Sequence, residues 1–418
     1  MHRGIFALAG ALTAGSLFAY CAAPHSILHL WGNGIYDPRP GHPEDLLNFT
    51  NFTPRKIANF QDKSSPNLVK VSFGTTHEVG LDDKGDIYIW PIHIVNSVSL
   101  PEIDDHVRDV KKLSSGGNYT QLQWTKGILF ALNKKGEVWE WRFDLQENPV
   151  ARRIPRLKNI KKISTGYDHL VALDNEGHCW SMGDDTFGQC GQSFLNRTTN
   201  APYLSLRYPN PMMIYNIEGK VIDIACGKQH TIALLEDGSV LGWGRNHKQQ
   251  FGLFLESDNK TAKQVIYLPT EVNGSSDKKI VKIAAGDYFS LYVAETRTGE
   301  EEVYATGLNS RGQLGLGFLT HCTSFVKVQQ LSNFVVTDPK NGKINPVKYS
   351  QLECGSEHCM ALMDVGAVYI WGGNENGEQG NKKRTIQDKP RIMKYYIDKE
   401  VVSINCGQKG SAVIWKDI

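Results

Sequence analysis

An all-β fold built from repeated four-stranded units, a β-propeller, is what this sequence predicts. Three observations predict it: a motif spelled six times, a hairpin pattern inside each copy, and a proline mark between copies. The clearest copies are GYDHLVALDNEGHCWSMG, from Gly166 to Gly183, and GKQHTIALLEDGSVLGWG, from Gly227 to Gly244. Copies at GTTHEVGLDDKGDIYIW (from Gly74) and GSEHCMALMDVGAVYIWGG (from Gly355) place Gly, His, Leu, Gly and Trp at matching offsets. A weaker copy starts at Gly286, with Phe289 in the His place, and another at Gly117, with Thr120 there. Self-similarity at a period of tens of residues is the signature of a repeat architecture.

Each unit reads locally as a hairpin. His169–Leu173 and Thr231–Leu235 are short apolar runs without helical spacing, so they predict strands. An acidic turn ending in Gly follows each (Asp174 to Gly177, Glu236 to Gly238), then a second strand ending in Trp or Trp-Gly. Glycine at such a turn supplies a positive φ, and glycine at a strand end lets neighbouring backbones approach. A Pro-x-x-hydrophobic mark recurs before the next unit at Pro54, Pro211, Pro269 and Pro390. Four strands per unit, repeated radially, make a propeller.

The units resemble the regulator of chromosome condensation repeat family. The Gly-x-x-His starts at Gly74/His77, Gly166/His169, Gly227/His230 and Gly355/His358 carry the resemblance. So does the Gly-x-Asn-x-x-Gly-Gln-x-Gly run at Gly307, Asn309, Gly312, Gln313 and Gly315, with variants around Gly188–Gly191 and Gly377–Gly380. The match covers nearly everything after residue 25. It implies a seven-bladed propeller; it implies little about function, because one widely used fold hosts many activities.

The ring is expected to close through the two ends of the chain. A seventh start appears at CGQKGSAVIW, Cys406 to Trp415, with no returning strand after it. SILHLWGNG, Ser26 to Gly34, aligns with the returning strand AVYIWGGNE of the unit before. Pairing the two would complete blade seven and leave no open edge. Start glycines 74, 117, 166, 227, 286, 355 and 407 then count seven blades in one domain, residues 26–418.

Composition fits a strand-and-turn protein: 40% hydrophobic, 40 Gly, and a net charge of +2. That balance carries no nucleic-acid signal. Lysine pairs at Lys111-Lys112, Lys161-Lys162 and Lys278-Lys279 read as a solvated rim ahead of an anion-binding patch.

Residues 1–25 differ from the rest. No charged residue lies between Arg3 and Pro24, and Gly4 to Ala23 is twenty residues long. At roughly 1.5 Å per residue, a helix of that length spans about 30 Å, a hydrocarbon core. A cleaved secretory signal is the competing reading. A retained transmembrane helix is favoured, because the apolar run is long and Ser26 already belongs to a strand. Ala7, Ala11, Gly15 and Ala19 are spaced by four, so they would line one stripe of that helix. Either the stripe packs against a second transmembrane helix or it reflects an Ala-rich composition.

Of eight cysteines, Cys226, Cys354 and Cys406 each precede a start glycine, a repeated place that suits a small apolar core residue. Cys179, Cys190, Cys322 and Cys359 form no CxxC pair. Unpaired thiols point to a reducing compartment or the mitochondrion. Asn-x-Ser/Thr triplets at Asn48, Asn51, Asn118, Asn196, Asn259 and Asn273 read as chance, Asn118 because it falls at a blade start. The resembled family also includes membrane-associated mitochondrial members. The expected location is therefore the mitochondrial inner membrane, with the endoplasmic reticulum or secretory pathway second.

No catalytic, cofactor or metal site is expected. His77, His169, His230 and His358 occupy one place in separate blades, where a ring nitrogen can hold its own turn; ligands to one ion must converge within about 2 Å of it. Trp90, Trp180, Trp243 and Trp371 read as blade core. Zinc-protease, phosphate-loop and Gly-x-Ser-x-Gly patterns are missing. Binding is expected in the long segments Gln192–Gly219, Phe254–Lys279 and Leu316–Ser350, and at an acidic hairpin tip, Glu300 to Glu302. Thr198 to Tyr215 has interface composition, or packs on its own blade.

The functional expectation is a non-catalytic, membrane-anchored scaffold: an accessory or assembly subunit of a respiratory-chain complex, binding other protein subunits. The resemblance implies the alternative, a guanine-nucleotide exchange factor for a small GTPase. The residues for that activity are not identifiable here.

Overall fold

The computed structural model describes residues 26–32, 55–56, 60, 65–91, 110–145, 149–192, 206–253, 264–272, 278–338, 342–381 and 383–416. They form seven four-stranded antiparallel sheets and one small hairpin. The innermost strands are Leu68–Phe73, Tyr119–Trp124, Ile160–Thr165, Val221–Cys226, Lys279–Ala285, Tyr349–Cys354 and Glu400–Cys406. Each neighbours the next, and the last neighbours the first, so the sheets are blades 1 to 7 of a closed ring.

Blade 3 shows how the sequence makes a blade. Its strands are Ile160–Thr165, His169–Asp174, Cys179–Asp184 and Arg207–Met213, paired in that order. The second strand is buried at all six positions, because blades pack on both of its faces. It therefore reads as a continuous apolar run. Between the second and third strands, Gly177 takes φ +99°, as the turn requires.

Three readings need correction. Innermost strand Tyr119–Trp124 places Thr125 and Ile128, not Gly117 and Thr120, at the start of the second repeat, since Ile128 pairs with Arg142 as His169 pairs with Gly183. Gly117 lies before that strand, and Asn118 beside it is exposed, so crowding does not disqualify it as a glycan acceptor. The long segments are not simply insertions: they contain the outermost strands Arg207–Met213, Val265–Glu271 and Cys322–Lys327. Pro211, Pro269 and Pro390 lie inside outermost strands that carry register shifts, where a missing N–H is tolerated.

Ring closure is as expected. Ile27–Gly32 pairs with Gly410–Lys416, Ile27 opposite Trp415 and Gly32 opposite Gly410. Arg55–Lys56 adds the outermost strand. The order within blade 7 is therefore third strand first in the chain, first and second strands last.

Chain direction sorts the loops. Connections between first and second strands, and between third and fourth, lie on one face, called here the mouth face. The other connections lie on the opposite, turn face. Ile27 starts its strand at the turn face, where the Ser26 amide donates to Asn67 Oδ1 at 2.8 Å. Residues 1–25, including the expected transmembrane helix and Ala7, Ala11, Gly15 and Ala19, lie outside the described residues. Among the described residues, no helix is long and apolar enough to cross a membrane.

Losing the Ile27–Gly32 strand would remove Leu28 and Trp31, which are 1% and 3% accessible. Burying each is worth about 2–3 kcal/mol, and Gly410–Lys416 would be left with an unpaired edge. A chain beginning at Asp37 should aggregate, and one beginning at Pro24 should give soluble propeller, read by size-exclusion chromatography. Equal behaviour of the two would refute closure.

Candidate functional site: the central channel and its clasps

The Gly-Gln-x-Gly run folds into a turn that clasps the next blade. In blade 3, the Asp185 carboxylate accepts the Cys190 amide, and the Gln189 side chain accepts the Phe187 amide. Gly188 and Gly191 take φ +76° and +65° there. The turn thus aims the Gln189 carbonyl into blade 4, where Trp243 Nε1 and Thr231 Oγ1 both donate to it at 3.0 Å. Between blades 6 and 7 the Glu378 carbonyl accepts Trp31 Nε1 and Ser411 Oγ. Between blades 5 and 6 the Gln313 carbonyl accepts Trp371 Nε1.

The repeat histidines complete these clasps. His169 Nε2 meets Thr231 Oγ1 at 3.0 Å, His230 Nε2 meets Ser290 Oγ at 3.1 Å, and His358 Nε2 meets Ser411 Oγ at 2.9 Å. Each ring holds the next blade, not its own turn. Thr231 and Ser411 spend their one proton on a turn carbonyl, so His169 and His358 must donate from Nε2. In blades where the histidine is replaced, by Ile128, Phe289 or Gly410, the facing residue of the next blade is Leu170, Cys359 or Glu78. His77 is the mismatch: the equivalent position on the next blade is Leu129, and His77 stays half-buried with its Nδ1 3.0 Å from Thr76 Oγ1. The structure does not bring the four histidines together.

The start glycines are required by close approach. A Cβ on Gly166 would fall 2.3 Å from the Gly227 carbonyl, and one on Gly227 would fall 2.4 Å from the Gly286 carbonyl. One on Gly355 would fall 2.2 Å from the Gly407 carbonyl. In blade 1 a Cβ on Gly74 would fall 2.6 Å from the His77 carbonyl and 2.8 Å from the Trp124 ring of the next blade. Among the expected core tryptophans, Trp90, Trp243 and Trp371 are fully buried. Trp180 is only half-buried and donates to Asp174 at 3.1 Å, because Met182 occupies the clasp position in blade 3.

The innermost strands enclose a polar channel with a cavity of about 550 Å³. Gln121 and Gln351 each bridge to the next blade: the amide donates to a backbone carbonyl and its oxygen accepts a backbone N–H. Lys162 pairs with Asp223 across two blades. Glu353 also faces this channel, where loss of solvent raises its carboxyl above the usual range, opposed by Lys70 and Lys162.

At the mouth face, the loops bond one to the next around the channel. Lys126 donates its amide to the Tyr167 carbonyl, Tyr167 to Lys228, Lys228 to Asp287, and Asp287 to Ser356. The Lys228 ammonium lies 5.4 Å from the Tyr167 ring centre, 5.5 Å from that of Tyr288, and 3.3 Å from the Asp287 carboxylate. Ion pairs Arg142–Asp144, Arg207–Asp168 and Arg311–Glu375 flank the mouth. The acidic hairpin tip is largely internal: Glu301 is buried and accepts the Tyr349 amide, and Glu302 pairs with Lys327. In the Thr198–Tyr215 segment, Ile214 is buried and Tyr215 is 77% exposed.

Burial holds His169 and His230 down to about 3 and His358 to about 4, with Nδ1 of the first two unpaired. Unfolded imidazoles titrate near ~6.5, so the unfolded chain binds more protons between these values. Stability is therefore full above pH ~6.5 and falls as pH drops towards 4. Three protons set a limiting slope of about 4 kcal/mol per pH unit. His230→Gln should remove about a third of that slope, measured by urea unfolding from pH 7 to 5. Gly227→Ala should cost about 3 kcal/mol at pH 7 in the same assay, the upper end of overpacking.

Comparison with known proteins agrees with this architecture. Protein pim1 of Schizosaccharomyces pombe is 25% identical over 341 residues, 75% of this chain and 60% of pim1. E3 ubiquitin-protein ligase HERC2 of Homo sapiens is 27% identical over 74% of this chain, which spans only 6% of HERC2. The crystal structure of Prp20p from Saccharomyces cerevisiae, described with its binding to Gsp1p and histones, superimposes with a TM-score of 0.70. It is 19% identical, covering 96% of this chain and 93% of that one. Human WBSCR16 superimposes with a TM-score of 0.68 at 16% identity, over 94% of this chain and 99% of its own. The profile of the RCC1-like domain matches residues 27–413, from the closing strand to its partner, and the chain belongs to that family.

Proposed function

We propose that this protein is a non-catalytic propeller scaffold, held at the mitochondrial inner membrane by one N-terminal helix, and an accessory or assembly subunit of a respiratory-chain complex. The observation that carries the anchored part of this reading is the join at Ser26. Its amide is already bonded to Asn67, and Ile27 is already in register with Trp415. The apolar run Gly4–Ala23 therefore has almost no linker before the ring. Such a helix would set the turn face against the bilayer and turn the mouth face towards water. Third strands Ile27–Gly32, Ile87–Pro91, Cys179–Asp184 and Val240–Arg245 all end on the mouth face, where binding loops would be free to reach partners.

The scaffold part rests on where the repeat chemistry is used. The imidazoles of His169, His230 and His358 are committed to inter-blade bonds. Guanine-nucleotide exchange on a small GTPase is the second reading, supported by family membership and by the binding of Prp20p to Gsp1p.

Replacing Ala11 and Gly15 by Leu separates these ideas. The segment stays apolar, so resistance to alkaline carbonate extraction should persist. Close packing of a partner helix should not, because each added side chain pushes the backbones apart. Native gels should then show loss of co-migration with a large complex. Mature protein beginning at Ala22 or later would overturn the anchor, and unchanged co-migration would overturn the stripe. Nucleotide-sensitive recovery of a small GTPase, with no large complex, would favour exchange.

A further inference from the structure

Blade 6 differs from the other blades at one pair of positions. The last residue of its innermost strand is Cys354, and the residue directly opposite on the second strand is Cys359. Equivalent pairs are Thr165 and Leu170 in blade 3, Cys226 and Thr231 in blade 4, and Cys406 and Ser411 in blade 7. Only one thiol, or none, occurs in each of those. In blade 6 the two sulfurs approach to 3.3 Å. We propose that Cys354 and Cys359 are a peroxide-sensitive dithiol that closes to a cross-strand disulfide in the channel wall.

Backbone geometry permits the bond. The Gly355 amide donates to the His358 carbonyl at 2.8 Å, so the next pair outward, Cys354 and Cys359, is non-hydrogen-bonded. Such pairs bring Cα atoms to about 4.5 Å, inside the range a disulfide spans. The two thiols are also unequal. Cys354 is half-buried and lines the channel, so a small oxidant reaches it through the 550 Å³ cavity. Cys359 is fully buried, its sulfur 3.6 Å from the Gln313 carbonyl, and burial pushes its thiol well above the ordinary range. Cys354 is thus the attacking sulfur and Cys359 the resolving one. Closure leaves the Gln313 carbonyl still bonded by Trp371 Nε1, so the clasp survives oxidation.

The chemistry balances with hydrogen peroxide as the oxidant. The Cys354 sulfur attacks one peroxide oxygen, the O–O bond breaks, and water leaves with the thiol proton, giving a sulfenic acid. The Cys359 sulfur then displaces the sulfenic oxygen, which departs as a second water, and the S–S bond forms. Two thiols are oxidised by two electrons in all, and one peroxide is reduced to two waters. The closed ring ties the turn that carries Ser356, whose carbonyl accepts the Asp287 amide at the channel mouth.

The test uses the full chain, purified with a thiol reductant, exchanged into buffer, and treated with hydrogen peroxide. It is then alkylated in denaturant and examined by peptide mass spectrometry. Loss of alkylation at both Cys354 and Cys359, with a mass ~2 Da below the dithiol peptide and reversal by reductant, is expected. Cys226 should remain alkylatable. In Cys359→Ser, Cys354 should be trapped by a sulfenic-acid reagent; in Cys354→Ser, Cys359 should stay a thiol. Full alkylation of both cysteines after peroxide, or a disulfide from Cys354 to Cys406, would overturn the proposal. Far-ultraviolet circular dichroism of the oxidised wild type, unchanged from the reduced form, keeps the result independent of any folding defect in the variants.

Discussion

The inter-blade clasp is the interaction on which the rest of this ring depends. A blade's own hydrogen bonds run strand to strand and end at its edges; nothing in them joins one blade to another. Beside the backbone bonds between mouth loops, the junctions use side chains: a turn carbonyl from one blade accepts a Trp and a hydroxyl from the next, and a histidine caps the hydroxyl. Each of these polar groups is buried between blades, where leaving it unpaired would cost about 1–3 kcal/mol. The clasp therefore selects one docking distance and one angle. Apolar packing alone, being non-directional, would not.

The fixed distance has consequences on the channel side. It brings start-glycine backbones so close that a Cβ has no room, which is why glycine recurs there at blades 3 to 6. At Gly74 the next blade contributes an aromatic ring, Trp124, which adds to the His77 carbonyl in excluding a Cβ. The variation is coupled across blades, not within them. Histidine occurs with a hydroxyl on the following blade, and its replacements occur with Leu170, Cys359 or Glu78. His77, whose equivalent partner position holds Leu129, shows what an unmatched ring does: it turns to Thr76 and against Phe143.

The repeat, the hairpins, the blade count and the closing strand were legible in the sequence because they rest on short apolar runs and glycines. The outermost strands were not. Arg207–Met213 contains two prolines and is mostly exposed, so neither periodicity nor propensity marks it. The second repeat was misplaced by eight residues because Thr125 and Ile128 replace both signature residues, while Gly117 offers a decoy. The histidines are read from sequence as holding their own turns, and the bonds of His169, His230 and His358 run to the next blade instead. That direction depends on residues some sixty positions away, which local reading does not connect. The contact between Cys354 and Cys359 was visible only as two cysteines five apart; strand register makes them neighbours.

A ring whose repeat residues are committed to its own junctions has its remaining freedom at the two faces and in the channel. The faces are not equivalent. Chain direction sends the first residues of blade 7 in from the turn face, beside Asn67. The mouth face carries the loop-to-loop bonds of Lys126, Tyr167, Lys228, Asp287 and Ser356. Any attachment made through the N-terminus therefore orients the ring before a partner arrives. Orientation matters physically because a tethered surface meets its partner at an effective concentration set by the tether, and a short tether concentrates one face only. For a ring held through the segment ahead of Ser26, orientation and presentation would both follow from one topological fact: blade 7 takes its third strand from Ile27–Gly32.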